Sequence, residues 1–346
     1  MTVAESGVAP MRQEPEALLR AEGLRVVFSS RGRPLYAVDG VDIGVGRGET
    51  VALVGESGSG KSTTAMALMR ALQPQAGRIT FDGVDITHAD ERQLRPIRRR
   101  LQMVFQNPYA SLDPRHSVRR LITEPLRAHG IRDTAEQSRI VERVLHQVGL
   151  PLDAASSLPS QFSGGQRQRI SIARALALSP EILVADEPVS ALDVSIQAQV
   201  VNLLADIQAA TGVGYLVIAH DLALVHQISD RVAVMYLGKI VEQGPTAGVI
   251  DTPAHPYTAA LISATPVARP GQAGNRIVLG GEPPSPIDRP SGCAFHPRCP
   301  SARPECADVE PLLRDLGDGR AVACHFPLRG PSVASDHSPA SEDITA

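Results

Sequence analysis

Apolar positions along this chain repeat with two periods, about two and about 3.6 residues, and the switches between them mark its elements. Short runs of β type come first, at 24–28 and 37–45, separated by Ser29-Ser30-Arg31-Gly32-Arg33-Pro34. The apolar run Thr50-Val51-Ala52-Leu53-Val54 then leads through glycines into a segment that reads as helix, 63–72. Residues 77–86 read as a hairpin turning at Asp82-Gly83, a pair suited to a type I′ turn. An antiparallel layer thus brackets the first apolar strand.

From about 90 to 180 the pattern turns helical. Thr134 suits an N-cap, Ile140, Val141, Val144, Leu145 and Val148 fall at helical spacing, and Gly149 is a stop. Beta character returns at 181–186 and 215–220, two apolar runs that end in polar residues, as buried parallel strands do, with 193–209 as the crossover helix. A hairpin over 232–236 and 240–243, turning at Leu237-Gly238-Lys239, closes the pattern. Beyond Gly244-Pro245 the composition shifts to Pro, Gly and Ser, with one helical island at 257–263. The expected organisation is a mobile N-terminus (1–20), an α/β domain (21–245) with a helical subdomain (about 90–180), an extension (246–326) and a disordered tail (327–346).

Composition narrows the function classes. Hydrophobic residues at 43% and charged ones at 21% are ordinary for a folded protein. A net charge of −3 leaves no electrostatic footprint for nucleic acid, and Arg98-Arg99-Arg100 reads as a solvated face. No apolar stretch reaches the roughly 18 residues of a membrane span, since Arg174 and Asp186 interrupt the longest candidates. Glu5, Glu14, Pro15 and Glu16 occupy the place of a signal-peptide core. A cytosolic chain is expected, with any membrane role reached through a partner.

The chemistry begins at Gly55-Glu56-Ser57-Gly58-Ser59-Gly60-Lys61-Ser62, followed by Thr63. Strand, glycine-rich loop and helix stand in the order a phosphate-binding P-loop requires. Three glycines let backbone N–H groups turn toward a polyphosphate, and the helix adds its positive end. Lys61 can reach the β- and γ-phosphates of ATP, and the Ser62 hydroxyl can ligate Mg²⁺. A second anion-binding helix start is Ser163-Gly164-Gly165-Gln166. One chain cannot readily wrap both around one phosphate, so a head-to-tail dimer is the simple solution.

Here the chain resembles the ATP-binding subunits of ATP-binding cassette (ABC) transporters over about residues 22–326. The resemblance implies a P-loop NTPase fold: a RecA-like core, an antiparallel β subdomain and a helical subdomain. It makes Ser163, Gly164, Gly165 and Gln166 the signature that completes a partner's ATP site. It makes Ile182-Leu183-Val184-Ala185-Asp186-Glu187 the Walker B strand, Asp186 holding Mg²⁺ and Glu187 acting as general base on the attacking water. Gln106 fits the Q-loop and the Mg²⁺ site, Asp193 the D-loop in Ser190-Ala191-Leu192-Asp193, and His220 the switch that contacts the γ-phosphate. Phe28 is the expected adenine platform, with Tyr36 the runner-up.

The stretch 106–115 (Gln106-Asn107-Pro108-Tyr109-Ala110-Ser111-Leu112-Asp113-Pro114-Arg115), His255-Pro256-Tyr257-Thr258 and Gly292-Cys293-Ala294-Phe295-His296-Pro297-Arg298-Cys299-Pro300 resemble the oligopeptide/dipeptide importer subfamily, F-type subunit. That implies an ATPase working as a heterodimer with a second ATPase subunit, on two transmembrane permease subunits and an extracytoplasmic solute-binding protein. Its place would be the cytoplasmic face of the inner membrane, as a peripheral subunit. Nickel chelates and glycosides are alternative cargoes, and a soluble cassette ATPase regulating a protein or nucleic-acid assembly is the rival class. Cys293, Cys299, Cys306 and Cys324 suit a [4Fe–4S] cluster, the preferred expectation, or Zn²⁺, with His296 and His325 as spare ligands. Either group would staple a small extension that lacks a core of its own.

Overall fold

The computed structural model describes residues 17–30, 32–107, 111–190, 192–264 and 277–328. Residues 1–16 of the expected mobile N-terminus (1–20) and 329–346 of the expected disordered tail (327–346) lie outside them, as do Pro108, Tyr109, Ala110 and Ala191.

Two sheets carry the architecture. Strands β1 (Leu19–Ser30), β2 (Arg33–Val45), β4 (Ala76–Phe81) and β5 (Val84–Asp85) make an antiparallel sheet in the order β2-β1-β4-β5. The two short β runs of the sequence reading are thus one long hairpin, because an edge pair with one wet face keeps pairing through polar residues. The β4–β5 turn is the expected one, with Asp82 and Gly83 at φ 53° and 74°.

The second sheet holds β3 (Thr50–Val54), β6 (Leu101–Val104), β7 (Ile182–Asp186), β8 (Gly214–Ala219), β9 (Arg231–Tyr236), β10 (Lys239–Pro245), β11 (Arg314–Asp315) and β12 (Ala321–Val322). Their order is β11-β12-β10-β9-β3-β8-β7-β6, with β6, β7, β8, β3 and β9 parallel. Period two sorts the central strands onto two cores. Val51, Leu53, Ile182, Val184, Leu216 and Ile218 face the antiparallel sheet and α1 (Lys61–Leu68). Ala52, Val54, Leu183, Ala185, Val217 and Ala219 face the other way. There they meet α3 (Val118–Ala128), α4 (Thr134–Gln147), α5 (Gly164–Leu176) and α6 (Val194–Thr211). Each such Leu, Ile or Val contributes about 1.5–3 kcal/mol relative to exposure.

Several boundaries differ from the sequence reading. The region 90–180 is not wholly helical: α2 (Glu91–Arg100) runs directly into β6, an edge strand of the main sheet. Asp133, not Thr134, caps α4, its carboxylate accepting from Ala135 N (2.7 Å) and Glu136 N (3.3 Å). The helix after the P-loop ends at Leu68 rather than residue 72. The C-terminal stretch is stitched back into the cassette, since β12 pairs with β10 through Glu242 and Val322. No helix among the described residues is long and apolar enough to cross a membrane.

Candidate functional site

The parallel strands β3, β6, β7 and β8 end on one edge of the sheet, and their next residues are Gly55, Phe105–Gln106, Glu187 and His220. Side chains distant in sequence therefore converge where ligands of open α/β sheets bind.

The P-loop shape depends on two glycines. At Gly55 (φ 151°) a Cβ would lie 2.2 Å from the Met235 carbonyl oxygen. At Gly60 (φ 109°) it would lie 2.2 Å from that of Ala37. Neither loop–backbone approach tolerates a side chain. Lys61 is buried, and its Nζ donates to the carbonyls of Gly55 and Glu56, both at 2.8 Å. Burial pulls its ammonium below the ordinary lysine range, opposed by the charges of Glu187, Asp186 and Glu56. The ammonium is thus held over the loop where a polyphosphate would lie. Ser57, Gly58 and Ser62 are exposed at the mouth of this loop, Thr63 is half-buried, and Ser59 is buried.

Ser62 and Asp186, expected to share Mg²⁺, meet across the site, the hydroxyl donating to Asp186 Oδ1 at 3.3 Å. Burial raises the Asp186 carboxyl; the Ser62 bond lowers it, Glu187 raises it and Lys61 lowers it. Beside them Glu187 is gripped from two sides. Gln106 Nε2 donates to Oε2 at 2.7 Å, and His220 Nδ1 stands 3.4 Å from Oε1. Glu187 has φ 45°, a left-handed backbone that costs a β-carbon residue about 1–3 kcal/mol. Its N–H donates to Ile218 O at 2.9 Å and its carbonyl accepts from Ser190 N at 3.2 Å, which fixes that conformation.

The signature residues lie elsewhere. Ser163 caps α5 in a reciprocal box, Ser163 N donating to Gln166 Oε1 (3.0 Å) and Gln166 N to Ser163 Oγ (3.3 Å). A Cβ on Gly165 would meet Ile196 Cγ2 at 2.5 Å, so its small size lets α5 and α6 touch; Gly164 is half-buried beside it. Among the described residues no hydrogen bond or ion pair joins Ser163–Gln166 to residues 55–62 of the same chain. Asp193 stands exposed at the N-cap position of α6. Phe28 is 41% exposed on β1, whereas the Tyr36 ring is covered by the Arg289 guanidinium at 5.2 Å.

A groove of about 450 Å³ opens beside the segment leading into Gln106, with Met66, Met69, Met103, Phe105 and Pro125 among its walls. Phe105 is 43% exposed there.

In the C-terminal region Cys293, Cys299, Cys306 and Cys324 line one small cavity with His255, His296 and His325. Burial raises the thiols of Cys293, Cys299 and Cys324, the last to about 11. The four sulfurs form an all-thiol donor set, yet among the described residues no three His, Cys, Asp or Glu side chains are placed to hold a metal ion. His296 Nδ1 and His325 Nε2 are engaged with the carbonyls of Cys293 (2.9 Å) and Val309 (2.8 Å).

Sequence reasoning missed two residues that reach the P-loop from this region. Tyr257 and Arg298 both bind Glu56. They lay in quoted stretches without a role, and a sequence separation of 242 positions between Glu56 and Arg298 hides the contact from any local pattern.

Comparison with known proteins agrees with this geometry. The family described as "ABC transporter" matches residues 38–190, and "Oligopeptide/dipeptide transporter, C-terminal region" matches 241–306. A Sinorhizobium fredii protein named "Probable peptide ABC transporter ATP-binding protein y4tS" is 50% identical over 333 residues, 94% of each chain. The "Oligopeptide transport ATP-binding protein AppF" of Bacillus subtilis is 49% identical over 303 residues, 87% of this chain and 92% of its own. Among solved structures, the dimeric ATP-binding cassette MJ0796 bound to ADP and Pi superposes with a TM-score of 0.60 at 28% identity, over 66% of this chain and 98% of its own.

Proposed function

We propose, from the premise that this chain belongs to the ATP-binding cassette transporter family, that it is the ATP-hydrolysing subunit of a membrane importer of peptides. Two relatives named for peptide or oligopeptide transport, at about half identity over nearly the whole chain, support that cargo. The C-terminal match does the same. They do not favour nickel chelates, glycosides or a soluble regulatory ATPase.

The observation that carries the mechanism is the Glu187 carboxylate, held between Gln106 and His220 and set beside the Ser62–Asp186 pair. In the proposed reaction the loop of Gly55–Ser62 and Thr63 binds the phosphates of ATP, and Phe28 stacks on the adenine. Ser62, Asp186 and Gln106 are the residues that would hold Mg²⁺, which would supply charge neutralisation to the phosphates. Glu187 takes the proton of the attacking water, and His220 orients the γ-phosphate. Ser163–Gln166 are bonded to one another and, among the described residues, share no hydrogen bond with their own P-loop, so they serve the ATP of a partner ATPase subunit. The dimeric state of the cassette bound to ADP and Pi supports such an arrangement. Asp193 lies along that interface.

The partner is a second, different ATPase subunit, and the pair works on two transmembrane permease subunits supplied by an extracytoplasmic solute-binding protein. The groove beside Gln106, with Met66, Met69, Met103 and Phe105 on its walls, supports docking of a short permease helix there; on this reading the subunit works at the cytoplasmic face of the inner membrane. Residues 246–326 form the extension, and Cys293, Cys299, Cys306 and Cys324 around one cavity are the residues that would hold a [4Fe–4S] cluster, with Zn²⁺ the alternative, although their placement does not itself form a metal site among the described residues.

The test is Glu187→Gln in the assembled complex. Steady ATP turnover is expected to fall by about 10²-fold or more while ATP binding persists. Unchanged turnover, together with lost turnover when the partner subunit's own base is changed, would remove Glu187 from this role.

A further inference from the structure

We propose that Tyr257 and Arg298 are positioning residues for ATP binding, acting through Glu56. The P-loop is gripped at this residue from outside the nucleotide-binding core. Glu56 N donates to Tyr257 Oη at 2.8 Å. Its carboxylate receives a fork from Arg298, Nη1 to Oε2 at 2.8 Å and Nη2 to Oε1 at 3.1 Å. The Glu56 carbonyl accepts from Lys61 Nζ at 2.8 Å, so a single residue links the C-terminal region to the phosphate-binding lysine.

Both gripping residues are themselves fixed. The Arg298 side chain is 7% exposed, and it sits in the short turn His296–Arg298 between Cys293 and Cys299. Its Nη1 also lies 3.5 Å from the Tyr236 hydroxyl. Tyr257 is fully buried, its ring 4.7 Å from that of Tyr236 and 5.4 Å from that of Phe295. The helix that carries it, α7 (Pro256–Ala264), begins against the buried Glu242 carboxylate, which accepts from Ala254 N (2.7 Å) and His255 N (2.8 Å).

The chemistry gives these contacts a direction. A carboxylate on a loop that takes a triphosphate repels it unless neutralised and turned away. The bidentate guanidinium does both, because a planar fork fixes orientation as well as charge. The Tyr257 hydroxyl holds the backbone at the loop's first turn. The catalytic groups Gln106, Glu187 and His220 stand on other strand ends and make no contact with this grip among the described residues. Loss of the grip therefore weakens nucleotide binding and leaves the chemical step.

The inference rests on the reading of Gly55–Ser62 as the ATP loop. The full chain carrying Arg298→Met, Arg298→Lys, Tyr257→Phe or the pair Glu56→Gln/Arg298→Met is titrated with a fluorescent ATP analogue and Mg²⁺. KM and kcat are then read in the assembled complex. Arg298→Met is expected to raise Kd and KM about tenfold with kcat within about twofold, and Tyr257→Phe to raise them about threefold. Arg298→Lys should recover part of the loss, and Glu56→Gln should suppress Arg298→Met by removing the unneutralised carboxylate. A structural role alone would lower the melting temperature with Kd unchanged, and would overturn the inference. So would a fall in kcat at constant KM, or additive effects of Glu56→Gln and Arg298→Met. A wild-type chain that binds no nucleotide would overturn the ATP-loop reading itself.

Discussion

Lys61→Met separates the two things this lysine does. In the structure as described, its buried ammonium donates two 2.8 Å bonds to loop carbonyls. Each bond from a charged donor is worth about 1.5–3 kcal/mol when deleted, so about 3–6 kcal/mol is lost. Against this, removing a desolvated ion relieves a penalty of several kcal/mol, and Met refills the aliphatic volume. The terms nearly cancel, so the stability of the nucleotide-free chain should change by no more than about 2 kcal/mol. Nucleotide binding has no such compensation. At about 100 times Kd, nucleotide stabilises the wild-type fold by about 2.7 kcal/mol. A hundredfold weaker variant at the same concentration sits near its Kd and gains only about 0.4 kcal/mol. The assay is thermal unfolding with and without a non-hydrolysable ATP analogue and Mg²⁺. At about 2–4 °C per kcal/mol, the nucleotide shift should shrink from roughly 5–10 °C to about 1 °C. The variant also carries a pH signature. The folded Lys61 pKa lies below the ordinary 10.5, so between the two values the unfolded state binds more protons and stability rises with pH. Lys61→Met should flatten that part of the rise. A nucleotide-free variant destabilised by more than about 3 kcal/mol, or one that keeps the full nucleotide shift, would refute the reasoning.

Two further outcomes test the proposed assembly. In a complex whose bases are changed to Gln so that nucleotide is trapped, Lys61→Met and Ser163→Ala should each leave one occluded nucleotide per ATPase pair, and both together none; zero with Lys61→Met alone would mean a self-paired subunit. Protein purified without oxygen should be brown and contain iron and sulfide, whereas colourless protein with one zinc would favour the alternative, and neither metal would remove both.

What the sequence made legible follows from how fully each segment is buried. β7 and β8 are buried along their length, so an unbroken apolar run ending in Asp186-Glu187 or His220 is almost forced. The P-loop was legible because its glycines answer a backbone demand, seen in the 2.2 Å approaches at Gly55 and Gly60. β6 was hidden because four residues abutting a helix carry too little periodicity, and its burial comes from pairing with β7. The cap of α4 was misplaced by one residue because Asp133 and Thr134 both offer a capping oxygen. The sequence ranked Phe28 ahead of Tyr36 but could not show the feature that separates them, the Arg289 guanidinium lying over the Tyr36 ring. The grip on Glu56 was least accessible of all, being set by tertiary contacts of two residues from the extension.

That grip divides the site into parts with different supports. Gln106, Glu187 and His220 are held by the ends of parallel strands, whose positions follow from the buried ladder of β6, β7 and β8. The P-loop is held on one side by β3 and the Met235 and Ala37 carbonyls, and on the other by Tyr257 and Arg298. The second support reaches the sheet through the β9–β10 hairpin, where Tyr236 meets the aromatic cluster and Glu242 carries α7 while pairing with Val322 of β12. The extension therefore completes the edge of the sheet and shares one packed unit with the nucleotide loop. Phe295, on the wall of the cysteine cavity, packs against Tyr257, and Arg298, one residue before Cys299, binds Glu56, so the cavity borders both residues that grip the loop. On the proposed roles, ATP binding and hydrolysis draw on separate supports within one chain, and the cysteine cavity adjoins the binding side.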